Sequence, residues 1–135
     1  MKSLKLVWVS LIFTLAFSVN IFAENPPKIL AVVNSAEWCS VCKAHGQRAM
    51  GAFMENNKDG AIRFIMNDLS NAESQKKSAI EIKKAGITAS MKNYKASGVA
   101  YFFDAKTKAP ITQITVANTN DEIAYVIGEV KKAVK

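Results

Sequence analysis

The sequence is short of the residues that staple small folds or clamp metals: it has two cysteines, one histidine and three prolines in 135 residues. Two cysteines cannot form a disulfide-dense scaffold, nor can they complete a four-thiolate zinc site. No proline lies between Pro27 and Pro110, and there are no repeats or low-complexity tracts. Only 21% of residues are charged while 50% are apolar, a balance that excludes wholesale disorder. Lys and Arg outnumber Asp and Glu by 18 to 11, yet nowhere are the basic residues dense enough to form a nucleic-acid patch. The length suits one globular domain.

One long apolar run is present, at the start. Lys2 and Lys5 precede an almost unbroken apolar stretch from Leu6 to Phe22, followed by Ala23, Glu24, Asn25 and the Pro26-Pro27 pair. A positive start, an apolar middle and a small residue at the cut are the three parts of a secretory signal. Residues 1–23 therefore read as a signal peptide and 24–135 as the domain. The alternative is an uncleaved anchor, since the run reaches the lower length limit for a membrane span, although Ser10, Thr14, Ser18 and Asn20 dilute it. Either way the domain is expected outside the cytoplasm. It would be periplasmic or secreted if cleaved, or anchored and facing outward if not, and only the second case implies membrane contact. Cleavage removes Lys2 and Lys5 from a net charge of +7, leaving +5 on 112 residues. The remaining lysines are scattered over expected helix faces and turns as a solvated basic surface.

From residue 28 onward the pattern alternates between strand and helix. Lys28 to Asn34 (KILAVVN) is apolar on both faces, as a central buried strand requires. Cys39 to about Asn57 has helical spacing, with Ala49, Met50, Phe53 and Met54 recurring every three or four residues, and Asp59-Gly60 ends it. Ala61 to Asn67 is a second strand. Ser70-Asn71-Ala72-Glu73 fits a capping box opening a helix to Ala85, with Ala79, Ile80 and Ile82 as its apolar residues and Gly86 as its stop. Residues 88–98 read as a loop or a short extra turn. Val99 to Asp104 and Ile111 to Val116 form a hairpin around Lys106-Thr107-Lys108, and Pro110 points to an edge position. Thr119-Asn120-Asp121-Glu122 is a second capping box, opening a last helix with Ile123, Val126, Ile127, Val130 and Val134 on one face. The order β-α-β-α-β-β-α predicts an α/β sandwich around a central four-stranded mixed sheet.

The chemistry-bearing residues lie between the first strand and the first helix. Cys39 and Cys42 stand three positions apart at a helix start, which brings both sulfurs to one face within bonding distance. Unpaired N–H groups and the positive end of the helix dipole stabilise a thiolate there. Cys39, nearer the free end, is expected to be the more exposed sulfur and the nucleophile; Cys42, one turn in, is expected to be more buried and to resolve the mixed disulfide. Other readings stay open. A purely structural disulfide across so short a ring constrains the unfolded chain little. Cys39, Cys42 and His45, with Met50 and Met54 following, offer donors for copper or zinc, although helical apolar spacing places both methionines in the core. Haem attachment is disfavoured because Lys43, not His, follows Cys42.

The segment Ile29 to Lys43, with Ala36-Glu37-Trp38-Cys39-Ser40-Val41-Cys42-Lys43 after an apolar strand, resembles the active-site segment of the thioredoxin family. The element order over residues 28–134 agrees with it. The resemblance implies a thioredoxin-like fold and dithiol–disulfide exchange; with the signal-like residues 1–23, the expectation is an exported thiol-disulfide oxidoreductase that needs no cofactor. Cys39 would attack, Cys42 would resolve, Trp38 would cover the site, and Lys43 completes the motif. The implied partners are exported proteins with disulfides or dithiols, and a membrane redox protein that recharges the pair. The rival class is a binding protein, either a copper or zinc carrier or an adaptor with a passive disulfide.

Departures from the family pattern are specific. Gly98 stands where the family has a cis-proline facing the cysteines. Val33 and Phe64 replace a buried Asp and the Lys that pairs with it, which leaves Glu37 as the nearest candidate in sequence for proton transfer. The extra N-terminal strand and helix of full thioredoxins are missing, and Ser40-Val41 replaces the usual Gly-Pro between the cysteines.

Overall fold

The computed structural model describes residues 25–135. The signal segment expected over 1–23, and its junction with the domain, lie outside the described residues. Strand β1 (Ile29–Ser35) is buried along almost its whole length, as a run apolar on both faces demands. It pairs in parallel with β2 (Ile62–Asp68) and antiparallel with β3 (Val99–Asp104), which pairs antiparallel with β4 (Pro110–Thr115). The sheet order is β2-β1-β3-β4, so the most apolar strand sits inside. Pro110 starts the edge strand β4, and the β3–β4 register slips between Phe102 and Phe103, where Pro110 offers no N–H to the ladder.

Helices cover both faces. On one side α1 (Ser40–Glu55) and α4 (Asn120–Ala133) pack Ala49, Phe53, Ile123, Ile127 and Val130 against Ala31, Val33 and Phe102. Phe53 is fully buried, stacks on Phe64 with ring centroids 5.4 Å apart, and meets Phe102 edge-on at 6.4 Å. On the other side α2 (Ala72–Lys84), α3 (Thr88–Met91) and Tyr94 cover Leu30, Val32, Tyr101 and Phe103. The expected capping box of α4 is present: Thr119 Oγ1 accepts from the Glu122 N–H, and the Glu122 carboxylate accepts from the Thr119 N–H. The β-α-β-α-β-β-α order therefore holds, with α3 as the short turn inside residues 88–98.

Several local expectations are corrected. The cap of α2 is Asn71, whose side chain accepts from the Ser74 N–H, and Ser70 is not the cap. The buried face of α2 is Ser78, Ile82 and the adjoining Ala85, whereas Ala79 and Ile80 are exposed. Ser78 is drawn inward because its Oγ accepts the Asp68 N–H at 2.9 Å. Met50 is packed against the core as expected, whereas Met54 is 49% exposed, one residue past the buried Phe53 on the helix circumference.

Candidate functional site

The site forms where β1 ends. After Ser35 the chain turns through Ala36-Glu37-Trp38, closed by a Cys39 N–H to Ala36 carbonyl bond of 3.1 Å, and enters α1. Cys39 is the N-cap of that helix, in extended conformation, and its Sγ accepts the Cys42 N–H at 3.3 Å. The sulfur thus does the work that Ser or Asp does at most helix starts, taking one of the orphan donors of the first turn. Cys39 and Cys42 are joined as a disulfide with their Cα atoms 5.3 Å apart.

Gly98 closes the site from the sheet. A Cβ built there would lie 3.6 Å from both sulfurs and 2.5 Å from Val41 Cγ1, and its φ is +74°. Both the left-handed backbone and the lack of space call for glycine. Its N–H donates to the Asn34 carbonyl at 2.7 Å and its carbonyl accepts from Val116 at 2.9 Å, which ties it between β1 and the segment after β4. No other residue type keeps main chain this close to the sulfurs without displacing Val41.

Asn34, outside the residues expected to form the site, is fully buried, and its carbonyl accepts the Gly98 N–H. Its Oδ1 accepts from Asn67 Nδ2 at 2.8 Å and its Nδ2 donates to the Tyr94 carbonyl at 3.0 Å. One amide thereby joins the ends of β1 and β2 to the 92–98 loop, with its polar atoms satisfied as burial requires. A polar residue inside an otherwise apolar strand was the available signal.

A groove of about 380 Å³ opens on the Cys42 side, walled by Ser35, Ala36, Met66, Asp68 and Ser70, with Glu37 and Lys43 at its rim. Ser70 organises it. Its Oγ accepts the Glu37 N–H at 2.8 Å and donates to the Asp68 carboxylate, which also accepts the Ser70 N–H. These bonds, the hydroxyl of Ser70 first, hold the Asp68 carboxyl below its ordinary value. Ser70, expected as the cap of α2, serves this turn instead.

Taken as whole residues, the two cysteines differ in burial. Cys39 is only 4% exposed, whereas Cys42 is partly exposed and borders the groove. Trp38 is 62% exposed beside the pair, and Glu37 and Lys43 are exposed. Val33 is buried and Phe64 partly buried in the apolar core, so the two positions that lack a charged pair are occupied by packing. His45 is half-buried on α1. Among the described residues no group of three or more His, Cys, Asp or Glu side chains gathers to hold a metal, and Cys39 and Cys42 are bonded to each other.

A mixed sheet of order β2-β1-β3-β4, with helices on both faces and a Cys-x-x-Cys disulfide at the helix that follows its central strand, decides the fold. It is thioredoxin-like. No family model matches the chain, and no curated protein matches it in sequence. Among solved structures this thioredoxin-like chain is similar to Trxlp from Edwardsiella tarda, at 11% identity and a TM-score of 0.49 over 77% of this chain and 85% of that one. It is also similar to the thioredoxin Mala s 13 of Malassezia sympodialis, at 17% identity and a TM-score of 0.47 over 76% of each chain. A third is a secreted Mycobacterium tuberculosis disulfide oxidoreductase homologous to E. coli DsbE, at 14% identity and a TM-score of 0.49 over 76% and 81%. Among the described residues no helix is long and apolar enough to cross a membrane.

Proposed function

We propose that the protein is an exported thiol-disulfide oxidoreductase that exchanges the Cys39–Cys42 pair with cysteines of other exported proteins. The observation that carries this reading is a disulfide set at the N-cap of α1 with one of its cysteines bordering an open groove. A helix start lowers the energy of a thiolate, and the Cys42 N–H aimed at Cys39 Sγ adds a charge-assisted hydrogen bond once that sulfur is reduced. Thiolate character therefore belongs to Cys39, the attacking sulfur in this reading, with Cys42 resolving the mixed disulfide. Gly98 holds main chain against both sulfurs, and Trp38 offers an exposed aromatic surface to a docked polypeptide.

The resemblance of the Trp38-Cys39-Ser40-Val41-Cys42-Lys43 segment to thioredoxins supports the same chemistry, and the signal-like residues 1–23 support export to the periplasm or beyond. In an oxidising compartment the pair rests as a disulfide, so reductive service requires a membrane partner that supplies electrons.

The test is reduction of a model protein disulfide by excess small thiol. Wild-type protein is expected to accelerate it, and Cys39→Ser to abolish the acceleration. A wild-type rate equal to that of the variant contradicts the proposal. Purification with stoichiometric copper or zinc on the two sulfurs would favour the carrier reading instead.

A further inference from the structure

We infer that Arg48 is a positioning residue of the exchange site: its guanidinium locks the helix that carries the cysteines to the loop that holds Gly98. The inference rests on the exchange chemistry proposed above and adds a residue to its machinery. Gly98 matters to that chemistry because a Cβ built on it would stand 3.6 Å from both sulfurs. A polypeptide bonded to either sulfur in a mixed disulfide therefore passes the Gly98 main chain, and the position of that main chain sets the position of the substrate.

Gly98 is held from two sides. Its N–H donates to the Asn34 carbonyl at 2.7 Å, and its carbonyl accepts the Val116 N–H at 2.9 Å. Val116 begins the loop between β4 and α4, so the second hold is only as firm as that loop. Arg48 fixes it. From the middle of α1 its Nη2 donates to the Val116 carbonyl at 2.9 Å and to the Asn118 carbonyl at 2.8 Å, and its Nη1 donates to Asn120 Oδ1 at 2.7 Å. Among the described residues, every side-chain hydrogen bond between α1 and residues 116–120 comes from Arg48. Val116 thus gives its N–H to Gly98 and its carbonyl to Arg48, which closes a ring from the cysteines along α1 to Arg48, across to Val116, and back through Gly98 to the sulfurs.

The side chain suits this task. None of the ion pairs among the described residues involves Arg48, so its donors are spent on the loop. A guanidinium presents its donors in fixed, coplanar directions and holds three acceptors in one geometry; a lysine ammonium is a single donor centre on a flexible stem. Such placement decides rates, because a shift of about 1 Å caused by a change far from the reacting atoms can cost about a hundredfold.

The experiment measures kcat/KM for reduction of insulin disulfides in excess dithiothreitol, at a temperature where every variant is fully folded. Arg48→Met removes the three donors and keeps an apolar stem. It is expected to lower kcat/KM by about tenfold or more and to speed hydrogen exchange of the Val116 amide. Arg48→Lys keeps the charge without the fork and is expected to fall between Arg48→Met and wild type. Asn57→Ala is the control for stability alone. It loses the two hydrogen bonds that the Asn57 amide makes to the Ile62 main chain, at the end of the sheet away from the cysteines, and is expected to leave kcat/KM unchanged. A wild-type kcat/KM in Arg48→Met, or an equal fall in Asn57→Ala, overturns the positioning role while leaving the exchange function intact. Where Arg48→Met does not fold, Arg48→Lys decides, and a wild-type kcat/KM in it overturns the role. A wild-type protein that reduces insulin no faster than dithiothreitol alone overturns the role and the exchange function together.

Discussion

Replacing Gly98 by alanine strikes the contact that brings sheet and sulfurs together. The added Cβ lies 2.5 Å from Val41 Cγ1, where real Cβ atoms are not found, and the φ of +74° is left-handed. A left-handed conformation costs a non-glycine residue about 1–2 kcal/mol. Forcing Val41 aside in a packed site adds about 1–3 kcal/mol. The sum is a loss of about 2–5 kcal/mol, large beside the stability of a small domain. Denaturant unfolding of the oxidised protein measures it through the midpoint at constant slope. Thermal unfolding should fall by about 8 °C or more, at about 4 °C per kcal/mol for a domain of this size. Gly128→Ala is the internal control. It lies within α4 with no atom within 4 Å of the added Cβ, so alanine there is expected to stabilise by about 0.5–1 kcal/mol. A Gly98→Ala protein within about 0.5 kcal/mol of wild type would refute the steric and backbone argument.

Phe53→Ala removes a fully buried ring that stacks on Phe64 and meets Phe102, and is expected to cost about 3–5 kcal/mol by denaturant unfolding. Thr119→Ala breaks the capping box of α4 and is expected to cost about 1 kcal/mol with the midpoint shifted and the slope unchanged. Asp59, Asp68, Asp104, Glu81 and Glu122 are each held below their ordinary values. The leading causes are hydrogen bonds from the Lys131 side chain, the Ser70 hydroxyl, the Thr107 N–H, the Lys84 side chain and the Thr119 N–H respectively. Lowered native values stabilise above the unfolded ones of 3.8 and 4.5, and that stability is lost as pH falls through the native values. Stability should therefore decline on acidification below about pH 4.5, less steeply in Glu122→Gln; a rise in stability over that interval contradicts the assignment.

Backbone order was legible wherever one physical signal dominated. The doubly apolar run at 29–33 could only be an inner strand, and Thr119 with Glu122 could only open a helix. Gly86 ends α2 with a φ of +74°, as a glycine stop should. The faces of weak helices were not legible. In α2 two apolar side chains, Ala79 and Ile80, lost to Ser78 because that hydroxyl satisfies the backbone of Asp68, a contact between segments that no periodicity encodes. Ser70 offered two uses, a cap for α2 or a partner for Asp68, and Asn71 next to it freed it for the second. In the site, spacing alone brought the two cysteines together at a helix start. The groove beside Cys42 was not legible, because Met66, Asp68 and Ser70 reach it from the end of β2, far from the cysteines in sequence.

The most direct test of the account is the equilibrium of the Cys39–Cys42 couple, measured by titrating metal-free protein through glutathione redox buffers of known composition. An exchanging pair is expected to pass from dithiol to disulfide within the buffer range, with a potential above about −300 mV. A pair that stays fully oxidised across the whole range, with a potential below that value, would be a passive structural bridge and would contradict the account.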